Sequence, residues 1–330
     1  MRELGGLDPD AESIADLGEI VTAAVGKHIR HDGYMLVATD PVDHAISLYT
    51  GRDGYRPGTY RKWLSNESDS RDEHSLVSLF VRSKVVSAVG GQDAAPGQRN
   101  RLRTLADDGI GAELRVALKQ GRRTSGFLIM VRESGRAPFS AGDIAAARAM
   151  TGALGGALQR FVMGQPIGAL RAPLPPGVVV VDARDEITVC SPSAYRWMEL
   201  LYADVATDPE VRSGWALSEI AVARLMGGHA SNRQPTSAGW ACCHTEILPD
   251  GGAVITLRAA SVDERLPVVS RWFDVTRREE TVIGHALAGL PMKQIARRLE
   301  LSAHTVNDHF KAIYRKLGVR GRDELAAVFG

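Results

Sequence analysis

The sequence predicts a multidomain α+β protein in which two mixed front domains precede an all-α helix-turn-helix unit. Three observations carry this. The chain has 330 residues, too many for one small domain. Gly164, Pro166, Gly168, Pro173, Pro175, Pro176 and Gly177 gather between Met163 and Val178, a run that interrupts helix and strand and reads as a linker. From Val275 onward the apolar spacing is helical only. A second boundary near Ser261–Pro267 then divides the chain into 12–165, 177–262 and 265–330.

Composition is that of an ordinary globular protein, 44% hydrophobic, with enough apolar residues for a sizeable core. The net charge of +1 hides a local bias: residues 273–330 carry a surplus of about three positive charges, and the rest is slightly acidic. No apolar run approaches membrane-spanning length and no signal peptide opens the chain. Three cysteines, none before Cys190, fit a reducing compartment, so the protein is expected in the cytoplasm.

In the first domain, Ile14, Leu17, Ile20, Val21 and Val25 predict a helix within 12–30, and Tyr34 to Ala38 a strand closed by Asp40-Pro41. Glu113–Leu118 and Gly126–Arg132 read as strands joined by residues 119–123. Ser140 and Asp143 form a capping box ahead of an alanine-rich helix to about Met163. Its Gly152, Gly155 and Gly156 allow close packing, onto its own sheet or against a partner helix. Residues 50–110 are loosely patterned. His28, His31 and Asp32 lie at helical spacing but sequence places no further metal ligand beside them, so no metal is expected. His74, within a charged run, reads as an exposed loop residue.

In the second domain, residues 176–191 (PGVVVVDARDEITVCS) predict a hairpin, Pro192 opens a helix, and strands follow at Gly239–Leu248 and Ala253–Ala259. Cys242-Cys243-His244 has chemical potential for a soft metal or a redox pair. Strand alternation puts the two thiols on opposite faces, which favours one buried and one exposed side chain.

The C-terminal unit begins with Thr276 as N-cap and Glu279 completing a capping box, and Gly289 stops the helix. Ile295, Ala296 and Leu299 mark a second helix. Ser302 caps a third, whose apolar stripe Val306, Phe310, Ile313 and Leu317 ends at Gly318. Asn307, Asp308, Lys311 and Arg315 fall on its opposite side, donors, acceptors and cations of the kinds that meet base edges and phosphates in a major groove. His304 and Thr305 open the same helix. Lys293, Arg297 and Arg298 before it, and Lys316, Arg320 and Arg322 after it, are candidate phosphate contacts.

TRRE, AGL, KQIA, LELSAHTVNDH and KLGVRGRDEL, together spanning about sixty residues, resemble the C-terminal domain of LuxR-type (GerE-like) transcriptional regulators. The resemblance implies a DNA-binding domain whose last helix, about Asp323 to Phe329, makes a dimer contact. Asp308 departs from relatives that place an apolar or basic base-reader there, Pro291 replaces a capping hydroxyl, and Gly321 stands for a usual Ser.

The hairpin ELRVALKQGRRTSGFLIMV followed by PFSAGD and a long helix resembles a GAF domain, and the whole front resembles the sensor of a group of actinobacterial LuxR-type regulators. That resemblance implies a small-molecule pocket between sheet and overlying loops, for which Tyr34, Tyr49, Trp63, Phe80, Leu114 and Ile129 are candidates. Each taken alone also reads as a core side chain. Without a cysteine before Cys190 no thioether-linked bilin is expected there, and no cofactor is implied. Residues 177–262 resemble a PAS domain, with Ser191-Pro192 where Asn-Pro is common.

The expected function is a one-component regulator, a homodimer on double-stranded promoter DNA, modulated by a small hydrophobic or aromatic effector. Its rival is a constitutive DNA-binding protein whose front domains only dimerise or bind a protein partner. A response regulator needs a phosphoacceptor Asp after a strand, with an acidic pair and a Lys, an order the sequence lacks. An enzyme is not expected: there is no glycine-rich phosphate loop, nucleophile elbow or multi-ligand metal motif.

Overall fold

The computed structural model describes residues 11–55, 62, 66–67, 72–82, 84–90, 98–121, 123–168 and 174–329. The first domain runs α1 (Ile14–Gly26), β1 (Gly33–Thr39), β2 (Ile46–Arg52), α2 (Leu76–Val81), β3 (Val86–Gly90), α3 (Arg99–Asp107), β4 (Ile110–Gln120), β5 (Arg123–Glu133) and α4 (Ala141–Gly164). Its strands form one antiparallel sheet in the order β2-β1-β5-β4-β3. The β4–β5 turn is tighter than the sequence indicates: Gln120 pairs with Arg123, and Gly121 takes the left-handed φ of 58° that such a turn needs.

Capping boxes start both long helices, Ser13 with Asp16 for α1 and Ser140 with Asp143 for α4. Both helices cover one face of the sheet, where Leu17, Val21, Leu154 and Leu158 pack with Leu36, Leu114 and Leu128. Gly155 lets α4 approach β4, since a Cβ there would sit 2.2 Å from the Lys119 carbonyl oxygen. Gly152 meets nothing within 4 Å.

The opposite face carries charge. Arg115, fully buried, donates to Glu67 (2.7 and 2.8 Å), to Glu113 and to the His74 carbonyl (2.9 Å). Arg101 reaches Asp72 (2.7 Å) and Glu67 (2.8 Å). His74 is therefore no exposed loop residue: it is fully buried, 2.8 Å from the Ser87 hydroxyl and 3.2 Å from Glu113. Burial lowers the pKa of its imidazole, while Glu113, despite its own burial, is held well below the usual carboxylate range by Arg115 and the His74 bond.

The second domain runs β6 (Gly177–Val181), β7 (Ile187–Cys190), α5 (Pro192–Leu201), α6 (Ala203–Thr207), α7 (Pro209–Leu225), β8 (His229–Thr236), β9 (Gly239–Ile247) and β10 (Ala253–Ala259). Its antiparallel sheet has the order β7-β6-β10-β9-β8, the same winding as the first. Ser191 supplies the cap that Asn would give, accepting from the Ala194 N–H with Pro192 in the first turn of α5.

The segment Ser261–Pro267, expected to hold a boundary, begins α8 (Val262–Trp272), capped by Ser261 and Glu264 with Pro267 inside. This helix alters the expectation for the thiols. Cys242 and Cys243 do point to opposite faces, but both are fully buried. Cys243 joins the core of the second domain, whereas Cys242 packs in the cluster that contains Val268, Val269 and Trp272 of α8. The chain ends with α9 (Arg277–Leu287), α10 (Met292–Arg298), α11 (Ala303–Leu317) and α12 (Arg322–Phe329). No helix among the described residues is long and apolar enough to cross a membrane.

Two stability predictions follow from the buried charges. Arg115→Ala leaves Glu67 and Glu113 short of their main counter-charge, so the folded state is expected to lose about 3–5 kcal/mol, read as a lower urea midpoint. Glu219 of α7, bonded by Asn232 at 3.0 and 3.1 Å, is pushed up to about 8 by burial, against the opposing bonds from Cys243 and Asn232. A raised folded-state pKa means the native state holds a proton that the unfolded chain has lost. Its stabilisation is thus present below about 4.5 and declines as pH rises toward about 8. Glu219→Gln is expected to flatten that decline in urea titrations between pH 5 and 8; an unchanged slope would refute the assignment.

Candidate nucleic-acid interface

Helices α9, α10 and α11 are started and stopped by local chemistry. Thr276 accepts from the Glu279 N–H, and the Glu279 carboxylate accepts from the Thr276 N–H at 2.7 Å. Gly289 follows α9 with φ 79°, in the left-handed region. Pro291 stands at the N-cap of α10 without a side-chain cap bond, as its sequence position implies. Glu300, at φ 55°, makes the turn into α11, and the Leu301 N–H closes it onto the Ala296 carbonyl at 2.9 Å. Ser302 caps α11 through the Thr305 N–H at 3.0 Å, and Gly318 ends it with φ 68°.

Val306, Phe310, Ile313 and Leu317 of α11 are all buried against the other helices. The opposite face presents His304, Asp308, Lys311 and Arg315 to solvent, with Asn307 partly exposed. Asp308 lies between two neighbours on this face, 3.2 Å from the Lys311 ammonium and 3.5 Å from His304 Nε2. The carboxylate thus orients the cation one turn along and leaves Arg315 separate. Lys293, Arg297, Arg298 and Arg320 are also exposed and can reach phosphates beside the helix.

Three residues placed by sequence on the outer surface are used within the module. Lys316 turns inward to Glu279 at 2.6 Å. Glu279 is held below the ordinary carboxylate value, its burial opposed by the bonds from Lys316 and Thr276. Arg322 donates to the carbonyls of Ala286 (3.1 Å) and Leu290 (2.6 Å), closing α12 onto α9. The Thr305 hydroxyl is engaged by Ser302 at 2.8 Å.

The module is seated on the rest of the chain through α8. Arg265 donates to the carbonyls of Ile167 (3.1 Å) and Phe329 (2.6 Å), Gln159 of α4 to that of Trp272 (2.8 Å), and Arg123 of the β4–β5 hairpin to that of Arg271. These contacts were invisible to sequence reading, because each joins residues many positions apart.

The expected effector-lining residues do not converge. Tyr34 and Tyr49 border a cavity of about 510 Å³ between the two front domains. The Tyr34 hydroxyl donates to Glu19 at 2.8 Å, and burial with that carboxylate pushes its pKa up to about 12. Phe80 borders a different cavity, of about 400 Å³, with its ring 4.3 Å from that of His44. Leu114 lies on the far side of the sheet under α1 and α4, and Ile129 is buried beside Val37 and Leu217. Trp63 lies outside the described residues. His31 bonds the Ile29 carbonyl and Asp32 pairs with Arg136.

Residues 274–329 match the family described as bacterial regulatory proteins, luxR family, and the C-terminal domain is a member of it. Comparison with curated proteins gives no match. Among solved structures, SdiA of Escherichia coli is 12% identical over 97% of this chain and 90% of its own, with a TM-score of 0.32. The VqmA dimer of Vibrio cholerae is 18% identical over 47% of this chain and 81% of its own, with a TM-score of 0.20. The chromophore-binding domain of Stigmatella aurantiaca bacteriophytochrome is 14% identical over 48% of this chain and 58% of its own, with a TM-score of 0.30.

The inward and outward lysines of α11 separate by experiment. Lys316→Ala is expected to cost the module about 1–2 kcal/mol, seen as a lower melting temperature. Lys311→Ala should leave the melting temperature within a degree or so, because exposed pairs contribute little. Equal destabilisation by the two would contradict this placement.

Proposed function

We propose that this chain is a transcriptional regulator that inserts α11 into the major groove of double-stranded promoter DNA. The observation that carries the reading is the exposed polar face of α11, His304, Asp308, Lys311 and Arg315, on a helix whose other face is fully committed to the core. In this reading Lys311 meets base edges such as guanine O6 and N7, and Arg315, beyond the Asp308 pair, meets phosphate; their exposure on α11 supports it. The luxR-family match of the same residues supports it. The regulator acts in the cytoplasm as a homodimer on paired half-sites, without catalytic activity of its own.

Control by a small effector is the second part of the proposal. It is supported by the two cavities lying where the front domains meet, since a ligand bound between domains stabilises one arrangement of them over others. The constitutive alternative predicts that no small molecule changes promoter affinity.

Binding of the full chain to its own promoter fragment, followed by fluorescence anisotropy over a salt series, tests the interface. Lys311→Ala is expected to weaken specific binding about tenfold, and Arg315→Ala to lower the salt slope by about 1, the signature of one lost phosphate contact. Wild-type affinity and slope in both variants would remove α11 from the interface.

A further inference from the structure

We propose that the cavity of about 400 Å³ between the first sheet and α7 is a binding site for a small, uncharged, largely apolar molecule carrying one hydrogen-bonding group. The site stands on its own geometry; its regulatory consequence rests on the effector reading above. One wall is the outer face of the first sheet, with Val37, Ile46 and Phe127. The other is α7 of the second domain, with Ala221, Val222 and Leu225. The volume falls within the range of roughly 300–1,000 Å³ usual for small-molecule pockets.

Three independent features define the occupant. The first is apolar surface left open at the mouth: Val81, Leu225 and Met226, at 75%, 46% and 48% exposure, are half of the six exposed large hydrophobic side chains among the described residues. Side chains of this size gathered at one opening favour contact with an apolar body over contact with water. The second is the Thr39 hydroxyl. It lines this cavity and is buried, at 5% exposure, with no hydrogen-bond partner. A buried hydroxyl without a partner loses the bonds it would make with water, so a ligand hydroxyl or carbonyl that meets it recovers them. Among the described residues none of the side chains lining the 510 Å³ cavity has such an unpartnered buried atom.

The third is charge. Asp43 and Glu67 line the cavity, and both carboxylates are already paired, Asp43 with Arg233 at 2.7 Å and Glu67 with Arg101 and Arg115. Among the described residues no lysine or arginine lines it. Among those residues an anionic ligand would meet two carboxylates and no free cation, and an extra cation would compete with pairs already satisfied. A neutral molecule of about two fused rings with a hydroxyl fits all three features. Because the walls belong to different domains, an occupant holds α7 against the first sheet.

The test uses the full chain and three probes of one shape: 2-naphthol, 2-naphthoate and naphthalene. Calorimetry is expected to show saturable one-to-one binding of 2-naphthol, with 2-naphthoate at least about tenfold weaker. Thr39→Val should weaken 2-naphthol about fivefold and leave naphthalene unchanged, the cost of one hydrogen bond. Ala221→Trp, which fills the cavity, should abolish binding of both while far-UV and near-UV circular dichroism confirm the fold. No saturable binding of 2-naphthol, equal affinity for 2-naphthoate, or undiminished binding to the folded Ala221→Trp protein would each overturn the site. Binding as described with promoter affinity unmoved by 2-naphthol keeps the site and counts against effector control. Loss of the site with promoter binding intact leaves the DNA-binding reading standing.

Discussion

Asp40, at the end of β1, is a fully buried carboxylate that accepts from the N–H groups of Val42 (2.8 Å) and Asp43 (3.1 Å) and from the backbone and guanidinium of Arg233 (2.9 and 2.8 Å). Two of those donors are in its own turn and two are in β8 of the other sheet. β8 is an edge strand, and the Arg233 N–H is one that an edge would leave unpaired. Asp40 thus completes the edge and joins the two sheets with one side chain. A buried ion pair of this kind gives little net stability, because desolvation offsets the attraction. What it contributes is geometry: the two bonds to Arg233 hold the end of β1 against β8. Tyr202 reinforces the same junction, donating to the Ser47 carbonyl at 3.1 Å and stacking 5.2 Å from Tyr49. Thr39, Asp43 and His44, which border the smaller cavity, are sequence neighbours of Asp40, so the clamp lies at the edge of that cavity.

The two sheets share one strand order but solve burial differently. The first concentrates its charges at one end of the outer face, around Arg115, and leaves Val37, Ile46 and Phe127 apolar at the other. The second buries Glu219 of α7 against Asn232 and Cys243 of its sheet. No sequence repeat announces the shared strand order. Strand order depends on which residues alternate inward and where chains turn, and many sequences satisfy the same alternation.

What was legible in the sequence was what forms over short range. Thr276 with Glu279, Ser302 with Thr305, and Gly318 each act within a few residues, so the helices of the C-terminal module and its polar face follow from spacing alone. Ser140 with Asp143 did the same for α4. Long-range partners were not legible. His74 looked solvated because its neighbours in sequence are charged, whereas its actual partners, Ser87 and Glu113, are 13 and 39 positions away. Strand β8 was missed because its buried residues include Asn232, Arg233 and Gln234, which give no apolar alternation. Pro267 hid α8, since a proline in a helix is an unfavourable reading until Trp240 and Cys242 are seen packed in the same cluster. Among the effector candidates, Leu114 and Ile129 are expected around one pocket; the register that pairs Leu114 with Met130 and Arg115 with Ile129 puts them on opposite faces of the sheet, a long-range fact that sequence does not give.

The position of α8 joins these parts. One continuous apolar cluster runs from Leu17 of α1 through Trp240, Cys242 and Trp272 to Phe310 and Phe329. Both front domains touch α8 directly, the first through Arg123 and Gln159, the second through the Arg258–Glu264 pair at 2.6 Å. Arg265 then ties α8 to the last residues of the DNA module. Close-packed interiors do not stretch, so a change in the spacing of the two sheets is not absorbed between them alone. Under the proposed regulation it would reach α8, which packs with Trp240 and Cys242 of β9 and bonds Gln159 of α4. A shift of α8 would carry the carbonyls of Arg271 and Trp272, and with them the start of α9. Under the proposed regulation, the clamp at Asp40 and the seat of the helix-turn-helix are therefore two ends of one mechanical constraint, and α8 is the element through which occupancy of the cavity would reach α11.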